Sequence, residues 1–117
     1  MKRALIMFSA AILLALASGQ VLAGGNIARG KQKATTCFAC HGVDGNAVDP
    51  QYPRLAGQYN EYLQQALHEY KDGRRKNPIM MGMAAALTDQ DIEDVAAYFS
   101  SLPSKLDTLQ GHIQGDK

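Results

Sequence analysis

The residues best able to do chemistry lie together in Cys37-Phe38-Ala39-Cys40-His41. The pattern is C-x-x-C-H, the arrangement at which c-type haem attaches. Two thiols add across the two vinyl groups of a porphyrin and leave thioethers that tether it. Two intervening residues set the sulfurs at the vinyl spacing when the segment turns helically. An imidazole directly after the second thiol comes under the iron as proximal ligand. Neutral imidazole is a common metal ligand, and its other nitrogen normally donates to a carbonyl or carboxylate that fixes the ring. Three other readings have less behind them. A thioredoxin-type dithiol needs a βαβ setting, which is not visible here. A structural zinc site needs four Cys or His ligands, and no second pair accompanies this cluster. A disulfide closing two residues would remove little chain entropy.

A second group of sulfurs stands later in the chain. Met80, Met81 and Met83 fall in a loop-like stretch after Asn77-Pro78 and before Thr88. A polarizable thioether can serve as an axial haem ligand, and Met/His ligation raises the potential. The alternative is ordinary core filling. Only one of the three can reach an iron, so one ligand, one packed neighbour and one partly exposed side chain are expected. Spacing alone does not choose among them.

The rest of the chain must position these groups. Its 117 residues correspond to one domain. A charged fraction of 20%, a hydrophobic fraction of 46% and a net charge of +1 are ordinary for a globular protein. They exclude a disordered tail protein and a nucleic-acid binder working by gross positive charge. Two cysteines are too few for a disulfide-dense mini-protein.

Lys2 and Arg3, the apolar run from Ala4 to Ala17, and Val21-Leu22-Ala23 have the three parts of a secretory signal. As a membrane anchor the run is short of the ~20 residues that span the hydrocarbon core. Cleavage after Ala23 is expected, giving an exported, periplasmic chain without stable membrane insertion. It would leave 94 residues and, with Lys2 and Arg3 gone, a net charge of −1. So small a domain would gain much from a large apolar prosthetic group at its centre.

Three helices are predicted. One runs from about Ile27 to Thr36 behind an Asn26 N-cap. Gly30 inside it calls for a packing reason, such as close approach of another helix. A second carries Tyr59, Tyr62, Leu63, Ala66, Leu67 and Tyr70 on one face and stops at Gly73. A third opens on a Thr88 cap with acids in its first turn, continues through Ile92, Val95, Ala96 and Phe99, and ends before Pro103. Residues 42–57 and 73–87 read as irregular, and no strand pattern appears. Domain residues 24–105 precede a polar tail, 106–117. His68 and His112 are expected in solvent. Arg74-Arg75-Lys76 reads as a solvated loop, or as a charge patch steering an acidic redox partner. Asp89, Asp91, Glu93 and Asp94 suit a helix N-terminus.

Taken in order, these stretches resemble a family. Residues 37–46, Cys-Phe-Ala-Cys-His-Gly-Val-Asp-Gly-Asn, look like the class I bacterial cytochromes c of the c-4 and c-553 type. Tyr52-Pro53-Arg54-Leu55-Ala56-Gly57-Gln58 continues the match, as do Gly73-x-Arg75, the methionine segment, Leu87-Thr88-Asp89-Gln90-Asp91 and Val95-Ala96-Ala97-Tyr98-Phe99. The resemblance covers about residues 26–102. It implies an all-α class I fold of three to five helices around one covalently attached haem c.

Residue by residue, the resemblance implies further roles. The family's methionine ligand falls on Met80, with Met83 second. The carbonyl that accepts from the proximal His41 falls on Pro53. The terminal helices cross at a small residue against an aromatic, which fits Gly30 with Tyr98 or Phe99. Arg54, Arg75, Gln58 and Tyr59 are candidates for contacts with the haem carboxylates; otherwise they are solvated surface or core aromatic. The c-4 branch typically carries two haem domains, whereas this chain holds a single C-x-x-C-H and matches one of them.

The implied function is a periplasmic one-electron carrier, not an enzyme. With iron gripped by His41 and Met80 in both oxidation states, no position is open to substrate. Implied partners are the cytochrome bc complex, a terminal oxidase or a periplasmic dehydrogenase, and a monomer is expected. One alternative is the haem subunit of a periplasmic dehydrogenase, for example with a sulfide-oxidising flavoprotein. Another, from a different class, is an open-site haem sensor or enzyme.

Overall fold

The computed structural model describes residues 24–106. The expected signal, 1–23, and the tail beyond Leu106 lie outside the described residues. The described chain holds α1 (Ile27–Lys33), a 3-10 turn (Ala34–Thr36), α2 (Phe38–His41), α3 (Asn60–Lys71), α4 (Pro78–Ala85) and α5 (Asp89–Ser101), and no strand. No described helix is long and apolar enough to cross a membrane.

Capping chemistry sets where these helices begin. The Asn26 side chain accepts from the Arg29 N–H at 2.9 Å and opens α1. The Thr88 hydroxyl accepts from the Asp91 N–H at 3.1 Å, while the Asp91 carboxylate accepts from the Thr88 N–H at 2.9 Å. That reciprocal pair satisfies two of the donors a helix start leaves unpaired. The sequence reading of these two helices holds, except that the first tightens to a 3-10 turn at Ala34 before α2 begins.

Helix α4 corrects the reading of residues 73–87 as irregular. The Asn77 side chain accepts from the Ile79 and Met80 N–H groups at 3.1 and 3.2 Å, and Pro78 occupies the first turn. Both are strong helix-start devices. The helix escapes a periodicity test because Ile79, Met80, Met81, Met83 and the alanines leave it without a polar face to set the period.

Helices α1 and α5 cross at Gly30. A Cβ there would collide with the Asp94 carbonyl oxygen and stand 2.9 Å from the Tyr98 Cβ. Only a residue without a side chain lets the two backbones meet. Asp94, 3% exposed, ties the same crossing together. It accepts from the Arg29 Nε at 2.7 Å, the Asn26 N–H at 2.6 Å and Gln90 Nε2 at 3.1 Å. The Arg29 guanidinium holds the Asp94 carboxyl below the usual carboxylate range, aided by the Asn26 N–H.

Helix α5 is the centre of the core. Its Phe99 and Ile92 are fully buried, and Val95, Ala96 and Tyr98 pack with Ala34 and Leu63. Helix α3 packs on α5, and α4 packs on α3. The 42–57 stretch is irregular, as expected, yet well tied. Leu55 and Ala56 donate to the Gly45 carbonyl at 2.8 and 3.0 Å, Gly57 donates to Phe99 at 3.1 Å, and the Tyr98 hydroxyl donates to Val43 at 2.6 Å.

Candidate functional site

Helix α2 is one turn long and holds Cys40 and His41, with Cys37 as its cap. Gly42 follows at φ +82°, a left-handed conformation that ends the helix directly after His41. The chain then loops round until Pro53 meets the histidine ring. His41 Nδ1 lies 2.8 Å from the Pro53 carbonyl oxygen. A carbonyl only accepts, so Nδ1 carries the proton, and in the neutral imidazole Nε2 keeps its lone pair. His41 is itself buried, which fixes the ring in place.

A cavity of about 370 Å³ opens at this point. Cys37, Cys40 and His41 reach it from α2, and Met80 and Met83 reach it from α4. Leu63 and Leu67 of α3, Val95 and Phe99 of α5, and Leu55 make much of it apolar. Met80 and Met83 share a face because they stand three positions apart on a helix. Met81, about a third of a turn from Met80, points instead to Gly73, 3.9 Å from where a Cβ would stand. The helix phase therefore selects two sulfurs of three, which the spacing left open. Met83 is 45% exposed, and Met80 is more enclosed.

Of the expected carboxylate contacts, Arg54, Gln58 and Arg75 line the cavity. Arg54 Nε donates to the Ala47 carbonyl at 3.2 Å. The Arg75 guanidinium lies 5.1 Å from the Tyr70 ring centroid and 3.4 Å from the Tyr62 hydroxyl. Tyr59 lies apart from these three. It caps the start of α3, is 80% exposed, and is not among the cavity residues. Tyr62 and Tyr70 line the cavity in its stead. The apolar stripe of α3 marked them, but as packing positions; a face aimed at a ligand and a face aimed at protein read alike. His68 is half-buried and is not a cavity residue.

Cys37 and Cys40 are unpaired thiols, both partly buried. Burial pushes the Cys37 thiol up, against a smaller opposing pull from Thr36. The Tyr52 ring stands edge-on to His41 with centroids 6.4 Å apart, and its hydroxyl is pushed up by its contact with Cys40. Among the described residues no cluster of three or more His, Cys, Asp or Glu could hold a bare metal ion. A separate groove of about 720 Å³ runs between α1 and the α4–α5 junction, containing Arg29 and Asp94 but neither cysteine.

Two thiols on one turn, an imidazole with its free lone pair and a deep apolar space fit an iron porphyrin and fit no bare ion. Such a site on an all-α frame defines a class I c-type cytochrome domain. Comparison with known proteins agrees. A sequence model of the family described as Cytochrome c matches residues 27–103, and the chain belongs to that family. Cytochrome c4 of Pseudomonas aeruginosa is 48% identical over 84 residues, covering 72% of this chain and 42% of that protein. Cytochrome c-554(548) of Halomonas halodenitrificans is 48% identical over 80 residues, covering 66% of this chain and 96% of that protein. A thiosulfate dehydrogenase electron acceptor of Thiomonas intermedia is 35% identical, covering 73% of this chain and 42% of that protein. The crystal structure of reduced recombinant cytochrome c4 from Pseudomonas stutzeri superposes with a TM-score of 0.64 at 45% identity, over 68% of this chain and 46% of that one. The chain thus spans about half the length of the cytochrome c4 relatives it matches. It is a c4-branch class I cytochrome domain, with one haem c bound covalently through Cys37 and Cys40.

Proposed function

We propose that this chain is an exported, periplasmic one-electron carrier whose haem iron is held by His41 and Met80. The observation that carries the reading is the shared cavity of His41 and Met80, with the His41 tautomer set by Pro53. When bound, the haem supplies reversible one-electron exchange at its iron. Everything else falls to the chain. Cys37 and Cys40 would tether the group, the Pro53 carbonyl would keep His41 Nε2 available as a nitrogen ligand, and Met80 would supply a sulfur ligand. Leu55, Leu63, Leu67 and Phe99 keep water away, which lowers the reorganisation that accompanies charge transfer. Arg54 and Arg75 offset the negative charge of the haem carboxylates.

With both His41 and Met80 holding the iron, substrate would find no ligand position, which favours a carrier over an open-site sensor or enzyme. Tyr62, Ile79 and Met83 line the cavity and are 48%, 60% and 45% exposed. They form a small apolar margin suited to brief, weak docking of a redox protein. The cytochrome bc complex, terminal oxidases and periplasmic dehydrogenases are the partners this reading brings forward. Residues 1–23 are the export signal, removed after Ala23, and residues 24–105 form the haem-bearing domain.

A second reading rests on the Thiomonas relative, whose name makes it the electron acceptor of a dehydrogenase. There the same haem site would serve one enzyme as a bound subunit. Visible and far-red spectra of the purified protein test the first reading. A weak far-red sulfur-to-iron band in the ferric state, with no rapid CO binding in the ferrous state, is expected. High-spin spectra with fast CO binding would overturn it. Co-purification of a stoichiometric catalytic chain from the native host would favour the second.

A further inference from the structure

The helix that carries Met80 is short and thinly held. Helix α4 has eight residues, and only Ala84 among them is buried. It packs on α3, and both of its connections return to the end of α3. On the entry side, the Arg75 N–H donates to the Glu69 carbonyl at 2.9 Å, and the Arg75 side chain lies on Tyr70. On the exit side, Lys71, the last residue of α3, reaches sixteen residues along the chain. Its ammonium donates to the Leu87 carbonyl at 2.7 Å. Leu87 stands immediately before the Thr88 cap of α5. The Lys71 ammonium also lies 3.5 Å from the Asp89 carboxylate. That second contact is loose, because Asp89 is 81% exposed while Lys71 is 34% exposed.

We propose that Lys71 is a positioning residue for the axial methionine. Its bond to the Leu87 carbonyl latches the exit of α4 onto α3 and sets how often the Met80 sulfur leaves the iron. The physical basis is the difference between the two ends of α4. At its start, the Asn77 cap and the Arg75 contacts hold the backbone. At its exit, the described side-chain tie to α3 is this one, and a charge-assisted bond to a carbonyl is among the stronger single contacts a surface can make. With that bond gone, α4 is freer to tilt about its capped start, its exit moving away from α3, and the tilt shifts Met83 and, through the first turn, the Met80 side chain. The sequence hides the role, since Lys71 reads as a solvated residue near a helix end. The inference rests on the reading of Met80 as ligand.

The test uses the ferric holoprotein and saturating imidazole, so that loss of the far-red sulfur-to-iron band reports the rate of methionine release. Lys71→Met keeps the aliphatic stem and removes the donor, Lys71→Arg keeps a cationic donor, and Asp89→Asn removes only the loose ion pair. Release about tenfold faster in Lys71→Met is expected, equivalent to about 1.4 kcal/mol. Release within about twofold of the original is expected in the other two variants. Wild-type release in Lys71→Met, even with a lowered thermal midpoint, overturns the latch, as does equal acceleration in Asp89→Asn. Failure of Lys71→Arg to slow release relative to Lys71→Met overturns it too. Absence of the sulfur band from the original protein would instead sink the assignment of Met80, which separates the two failures.

Discussion

His41 and Pro53 stand twelve residues apart in the chain, yet the His41 Nδ1–H donates to the Pro53 carbonyl oxygen at 2.8 Å. One contact does two things. It leaves the opposite ring nitrogen unprotonated, as an iron ligand must be. It also anchors the 42–57 loop against α2, so that Arg54 and Leu55 reach the cavity wall.

The thioether tether is directly testable. Cys37→Ala combined with Cys40→Ala should leave at most a non-covalent haem. Acid–organic extraction of the denatured protein should then release it, whereas the original chain should keep its colour. Haem that stays with the denatured double variant would mean attachment elsewhere.

Met80→Ala should abolish the far-red band and open the iron to CO and imidazole. The midpoint potential should fall, because thioether ligation favours the ferrous state. Met83→Ala should keep the band, since Met83 shares the cavity face but is the more exposed sulfur. Potentiometry and ferric spectra of the two variants check both statements. A reversed pattern would assign the iron to Met83.

Gly30→Ala should destabilise the fold by about 1–3 kcal/mol, the range typical of overpacking at a tight contact. The added methyl meets the Asp94 carbonyl and the Tyr98 Cβ, so α1 and α5 must part. Thermal melting of the holoprotein reads the loss, and an unchanged midpoint would show that the crossing has room.

The Asp94 carboxyl is held below its ordinary value, chiefly by Arg29. A carboxyl depressed in the folded state contributes stability above its unfolded pKa, about 3.9. That contribution is lost as pH falls through the lower folded value. Acid should therefore loosen the α1–α5 crossing only below about pH 4. Asp94→Asn should cost about 1–3 kcal/mol at neutral pH, as the loss of charge-assisted hydrogen bonds at a buried acceptor does. It should also flatten the acid limb of a stability–pH curve measured by denaturant melts.

The parts of this protein that depend on local chemistry were legible in the chain itself. Cys37, Cys40 and His41 are adjacent, and adjacency is enough to name the haem. The caps Asn26 and Thr88, and the stripe of α3, work within a turn or two, so their types and spacing announce the helices. Tertiary structure decided what depends on phase and approach. Helix α4 carries no polar face, so no periodicity marked it, and only the Asn77-Pro78 start signalled a helix. Once formed, it turned Met80 and Met83 toward the cavity and Met81 away. Tyr59 and Tyr62 share one apolar pattern, but the start of α3 between them leaves one in solvent and sends the other to the cavity. The Lys71–Leu87 and Arg29–Asp94 contacts join segments far apart in the chain, and a pairing of that kind exists only after the backbone has folded back on itself.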